Sequence, residues 1–186
     1  MKKSLSEMTL AELWQLFPII LAPHDPNWAT FYAQERQRLV PLLPMDQIAR
    51  MSHIGSTAIP AIWAKPTIDI LIETDDPAAL KQPVRAAGYS LMSESPVRLS
   101  FNRGYTPDGF AARVFHLHVH KAGDNDELYF RDYLNEHPTD AKRYEELKIS
   151  LWKRYEHDRD GYTREKTAFV AEKTARAKAA YPGRYD

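Results

Sequence analysis

The 186-residue chain contains no cysteine. That excludes disulfides, thiolate zinc sites and a cysteine nucleophile, and leaves the redox compartment open. There is no surplus of either charge, with 25 Lys plus Arg against 25 Asp plus Glu. No overall basic field draws the protein toward nucleic acid or an anionic membrane, so a charged ligand must be met by a local cluster. A long apolar run is also lacking. Lys2 and Lys3 precede the apolar residues of the N-terminal stretch, but Glu7 and Glu12 interrupt them, leaving a segment too short and too polar for a signal sequence or a membrane span. These absences lead us to expect a soluble, cytoplasmic protein. What is present is 44% hydrophobic residues, enough at this length for one domain with a real core. We divide it into a helical arm (1–24), a core (25–123) and a helical annex (124–186).

Periodicity predicts the elements. Leu5, Met8, Leu13 and Leu16 recur on one side of a helix over 4–17, stopped near Pro18, as a packing arm. Asp25-Pro26 starts a second helix, which Trp28, Phe31, Tyr32, Glu35 and Leu39 carry toward Pro41. Strands are predicted at 47–54, 67–73, 97–103 and 112–121, with a short helix from Asp76-Pro77 to Gly88 and a hairpin turn over 104–109. Beyond residue 123 the strand signal stops. Helices are expected over 124–136, 139–157 and 162–180, and the final YPGRYD reads as a loose tail. No internal repeat is present.

Three local patterns carry chemistry. Gly55-Ser56 follows a strand, and a turn of free N–H groups with a hydroxyl suits an anion, although Gly-Ser is also common in ordinary turns. Asp69 sits in the middle of the β-branched run Thr67-Ile68-Asp69-Ile70-Leu71-Ile72-Glu73, where an isolated carboxylate is costly to bury. Something positive should face it, a cation or an Arg or Lys, with water as the other occupant; the structural alternative is a carboxylate receiving hydrogen bonds from neighbouring loops or from Lys65. Glu73 has the same parity but lies about 13 Å along the strand, outside the same site. His116, His118 and His120 share one face of the last strand, and imidazole serves as a ligand for manganese or zinc and as a base near neutral pH. The alternative is one satisfied core histidine and two facing solvent. Alternate residues of one strand lie about 6–7 Å apart, so zinc would need a further ligand such as His53 or Asp69. Tyr144, Tyr155 and Tyr162 have the spacing of core packing more than of a base platform.

The wording HIGSTAIP followed by KPTIDI resembles the GrpB family within the nucleotidyltransferase superfamily, and the likeness continues through HLHV, FRDYL and YEELK, about residues 26 to 176. The resemblance implies an α+β fold: a nucleotidyltransferase-like mixed sheet with packed helices and a C-terminal helical annex that closes over a nucleotide. It implies that Gly55, Ser56 and Lys65 bind phosphate, and that His116 and His118 stand where the superfamily places a third acid. Asp69, His116 and His118 then become the catalytic and metal-binding set, with magnesium or manganese ranked above zinc. Arg131, Lys148 and Lys166 on the annex are the implied phosphate contacts. One departure stands out: Leu71 occupies the place of the superfamily's second acid. The implied ligand is a nucleotide or phosphorylated small molecule, and some similar proteins are fused to dephospho-coenzyme A kinase. Three functions are carried forward: nucleotidyl transfer, a non-catalytic nucleotide- or phosphate-binding module, and a metal-dependent hydrolase using the histidines.

Overall fold

The computed structural model describes residues 3–186. The arm is not one helix. A 3-10 turn at Leu5–Glu7 is followed by α1 (Leu10–Leu16), because Thr9 restarts the chain with its own capping box: its hydroxyl accepts the Glu12 N–H while the Glu12 carboxylate accepts the Thr9 N–H. In α2 (Asn27–Leu39) the first amides are met by Asp25, which accepts the Asn27 N–H, and Trp28, Glu35 and Leu39 are buried. β1 (Arg50–Ile54) ends in Gly55 and a 3-10 turn at Ser56–Ala58. β2 (Thr67–Thr74) follows, then a capped turn at Pro77–Leu80 and α3 (Lys81–Ala86). β3 (Ser90–Glu94), β4 (Arg98–Thr106) and β5 (Gly109–Lys121) complete the sheet. α4 (Asp126–Glu136), α5 (Pro138–Trp152) and α6 (Arg159–Ala180) form the annex.

The five strands run in the order β1-β2-β5-β4-β3, with β2 and β5 parallel and every other pair antiparallel. β2 is an interior strand, buried along nearly its whole length, which is why its sequence is a continuous apolar run and not an alternation. One face of the sheet is the main core. Ile68, Ile70 and Ile72 of β2 and Phe115, Leu117 and Val119 of β5 pack there against Trp28, Leu39 and Val84. The other face holds Asp69 beside His116, which are paired in the parallel register, and the annex stands over it.

Three further expectations are corrected. The 104–109 stretch is not all turn: β4 continues to Thr106, and the ladder breaks between Arg103 and Tyr105. Gly104 sits at that break with φ 98°, and a Cβ there would meet the Arg113 carbonyl at 2.3 Å, so its glycine marks a bulge. The predicted helices 139–157 and 162–180 are observed as Pro138–Trp152 and Arg159–Ala180. The tail is not loose. Arg184 pairs with Asp132 (3.2 Å) and Glu136 (3.0 Å), the Tyr185 hydroxyl donates to Asp132, and the Tyr185 ring packs against the cluster of Ile54, Leu71 and Leu128. Among the described residues no helix is long and apolar enough to cross a membrane.

Candidate functional site

Between the polar face of the sheet and the annex lies a cleft of about 1330 Å³, with α1 contributing an apolar wall through Leu13 and Trp14. Its floor is set by the register. Ile54 pairs with Asp69 across β1 and β2, so the turn after β1 begins directly over the carboxylate. Only glycine fits there. Gly55 has φ 71°, and a Cβ at that position would lie 2.3 Å from Asp69 Oδ2. The turn is fixed from below by Thr57, whose hydroxyl donates to the Thr67 carbonyl (3.0 Å) and bonds His53 Nε2 (3.0 Å). The 3-10 turn uses the Ala58 and Ile59 amides for itself, which leaves those of Ser56 and Thr57 outside its own hydrogen bonds.

Asp69 faces two imidazoles. Its Oδ1 is 3.3 Å from His116 Nδ1 and 3.6 Å from His118 Nε2. Burial alone would raise the Asp69 carboxyl, but the two histidines, His116 ahead of His118, outweigh it and hold the group far below the usual carboxylate range. For His116 burial dominates over Asp69 and favours the neutral ring. One donor atom from each of the three residues lies within 4.8 Å of the others, close enough to share one ion. The third histidine leaves the group: His120 is 3% exposed and its Nδ1 bonds the Asp124 carbonyl at 2.9 Å. His53, the other candidate ligand, belongs to the opposite face, where it stacks on Tyr32 and burial lowers its pKa to about 4. Leu71 is fully buried with Ile54 and Leu128, under Tyr185. The place of a second carboxylate is thus filled by packed hydrocarbon. Glu73 is a structural anchor, paired with Arg50 (2.8 Å) and Asn125 (3.0 Å).

Beside this triad three lysines from separate elements converge. Lys166 Nζ lies 4.2 Å and Lys65 Nζ 6.0 Å from the centre of the Tyr162 ring, while Lys148 Nζ lies 4.8 Å from the Tyr144 ring and donates to the Trp63 carbonyl. Each is depressed from the ordinary lysine value, by burial first and by a neighbouring cation second. Lys148 falls to about 7 with Lys166 beside it, Lys166 to about 7 with Lys65, and Lys65 to about 8 with Arg159. Asp69 opposes the last two falls and Glu145 the first, and Glu145 already accepts the Trp63 N–H. The cluster is therefore under-compensated by carboxylate.

The sequence-predicted residues Gly55, Ser56, Lys65, Asp69, His116, His118, Lys148 and Lys166 all line this one cleft. Arg131 does not. Its guanidinium is spent on the His53 carbonyl (2.8 Å), Asp132 (2.8 Å) and the Tyr185 hydroxyl (3.1 Å), so it clamps β1 and the tail to α4. Two contributors were not foreseen. Tyr105, turned toward the cleft after the Gly104 break, places its hydroxyl 2.8 Å from His116 Nε2, and Arg159 donates to the same hydroxyl at 2.7 Å. Arg159 falls between the two helices expected over 139–157 and 162–180, and the structure makes it the first residue of α6.

A Gly-Ser turn closing one strand over an acid on the next, with two histidines on the parallel neighbour and a helical annex above, defines a nucleotidyltransferase-like α+β fold. The family model described as GrpB protein matches residues 18–176, and the chain belongs to the GrpB family. It is 39% identical over 168 residues to the UPF0157 protein PA4798 of Pseudomonas aeruginosa, covering 87% of this chain and 69% of that protein. The crystal structure of conserved protein GrpB from Enterococcus faecalis aligns with a TM-score of 0.74 at 27% identity, over 87% of this chain and 99% of that one. Dephospho-CoA kinase of Mycolicibacterium paratuberculosis is 28% identical over 192 residues, covering 86% of this chain but 46% of the kinase, so the chain spans less than half of that relative.

Proposed function

We propose that the protein binds a nucleotide or a nucleotide-containing phosphorylated metabolite in this cleft together with a divalent metal. The observation that carries the reading is the convergence of Lys65, Lys148 and Lys166, under-compensated and poorly hydrated, beside a carboxylate and two imidazoles. A polyanion satisfies the lysines, and the amides and hydroxyl of the Ser56 turn add donors to it. The similarity to a part of dephospho-CoA kinase supports a nucleotide-containing ligand. Asp69, His116 and His118 fit one metal by donor type, and two imidazoles with one carboxylate suit manganese or zinc better than magnesium, which prefers oxygen. When bound, such an ion supplies charge stabilisation at a phosphoryl oxygen. The chain's own residues do the rest: the lysines orient the phosphates and neutralise charge that develops on a leaving phosphate, and Tyr105 fixes the His116 ring through its second nitrogen.

Nucleotidyl transfer is the activity this arrangement supports best. A binding module without transfer is the second reading, favoured by one observation, the hydrocarbon that fills the second-acid place at Leu71. Thermal shifts with ATP, manganese, zinc and magnesium, alone and in combination, test both. Wild type is expected to gain stability from ATP and further from manganese or zinc, by mass action on the native state, and Asp69→Asn to lose the metal gain. A wild type that responds to ATP and ignores all three metals removes the transfer reading and leaves the module. A wild type that ignores ATP as well refutes both.

A further inference from the structure

Tyr162 stands beside two lysines of the cluster, Lys166 and Lys65, and yet its hydroxyl has no hydrogen-bond partner among the described residues. The residue is 1% exposed, and its Oη is one of four buried side-chain polar atoms among the described residues that lack one. Its ring is held on one side by Ile19 and Leu151 and is approached by the ammonium groups of Lys166 and Lys65. Tyr162 is nonetheless part of the cleft wall. Buried hydroxyls are nearly always paired, and burying one without a partner costs stability that a phenylalanine at the same place would not. The ring is anchored by hydrocarbon, so the hydroxyl is not needed to hold it. A charged ammonium has donors but no acceptor to offer. The missing partner is therefore an acceptor, and beside Lys65 and Lys166 it is an anionic one.

We infer that the Tyr162 hydroxyl donates a hydrogen bond to a non-bridging oxygen of a bound polyphosphate, inside the triangle of Lys65, Lys148 and Lys166. This rests on the phosphate-binding reading above and deepens it. The ligand class is a chain of two or more phosphates, because three lysines from separate elements carry more positive charge than a single phosphate of charge about −1 to −2 offsets.

The test is calorimetric titration of wild type and Tyr162→Phe with inorganic tripolyphosphate and with ATP, together with ligand-free melts of both. Tyr162→Phe is expected to melt at or above wild type and to bind tripolyphosphate and ATP about tenfold more weakly. Equal affinity in the two proteins overturns the inference and leaves the phosphate site standing. A Tyr162→Phe variant that melts well below wild type also overturns it, since the hydroxyl then already has a partner, such as a buried water, in the ligand-free protein. A wild type that binds neither probe refutes the phosphate site itself. Loss confined to ATP, with tripolyphosphate affinity unchanged, places the hydroxyl against the nucleoside and overturns the assignment to phosphate.

Discussion

Replacing Lys148 by Met is expected to make the ligand-free protein more stable while removing its affinity for phosphates. Lys148 is 2% exposed and its pKa falls from 10.5 to about 7. At 1.36 kcal/mol per pKa unit, that fall corresponds to about 5 kcal/mol of destabilisation when the group is fully charged, and to about 4 kcal/mol at pH 7, where roughly half the folded molecules have released the proton. Methionine matches the hydrocarbon of the side chain and forfeits the hydrogen bond to the Trp63 carbonyl, which costs about 1–3 kcal/mol if that carbonyl is left unmet. The balance at pH 7 is a gain of about 1–3 kcal/mol. Its pH dependence has a definite sign. A lysine whose folded pKa is lowered costs stability fully below that value, and the cost fades as pH rises from about 7 toward 10.5, because only over that interval does the unfolded chain bind the extra proton. Urea unfolding at pH 6.5 and pH 9.5 should therefore show Lys148→Met ahead of wild type at the lower pH and the advantage gone at the higher one. A variant less stable than wild type by the same amount at both pH values would refute the reasoning, as it would mean Lys148 acts only as a hydrogen-bonding strut.

Gly55→Ala should lower Tm by about 4–8 °C, since a positive φ and the collision with Asp69 Oδ2 together cost at least about 2 kcal/mol; a variant melting with wild type would show that the turn moves freely. Arg131→Ala should cost about 1–3 kcal/mol by releasing the tail from α4 and leave ATP affinity unchanged. Melts and titrations read the two effects separately, and lost affinity in a folded variant would return Arg131 to the site.

Much of this site is written in local patterns. The apolar run around Asp69 announces a buried strand, and the alternation from Val114 to His120 assigns each side chain to a face before any partner is known. Proline and glycine bound the annex helices to within a few residues. What the sequence conceals is whichever residue acquires its role from a neighbour distant in the chain. β3 is an exposed edge strand with little apolar signal. His53 and His118 look equally able to serve Asp69, and only the pairing of His53 with Ile70 sends it to the core face. Arg131 resembles a phosphate contact until its partners in β1 and the tail are visible, and Tyr105 is hidden behind a glycine that reads as a turn. Core packing at Tyr162 describes its ring and omits its hydroxyl.

The break in the ladder between Gly104 and Val114 decides where this protein tolerates gain or loss of a residue. Four residues of β5, from Ala111 to Val114, lie opposite Gly104 alone, so hydrogen bonding there is already irregular. One more residue among them alters only the width of the bulge, and His116 and His118 keep their face. From Val114 to Lys121 the parallel ladder to β2 is unbroken. A single insertion after Val114 would turn every later side chain over, setting Phe115, Leu117 and Val119 into the cleft and both site histidines into the isoleucine core. The two halves of one strand thus differ in their freedom to change length, and that freedom ends just ahead of the two histidines that face the cleft.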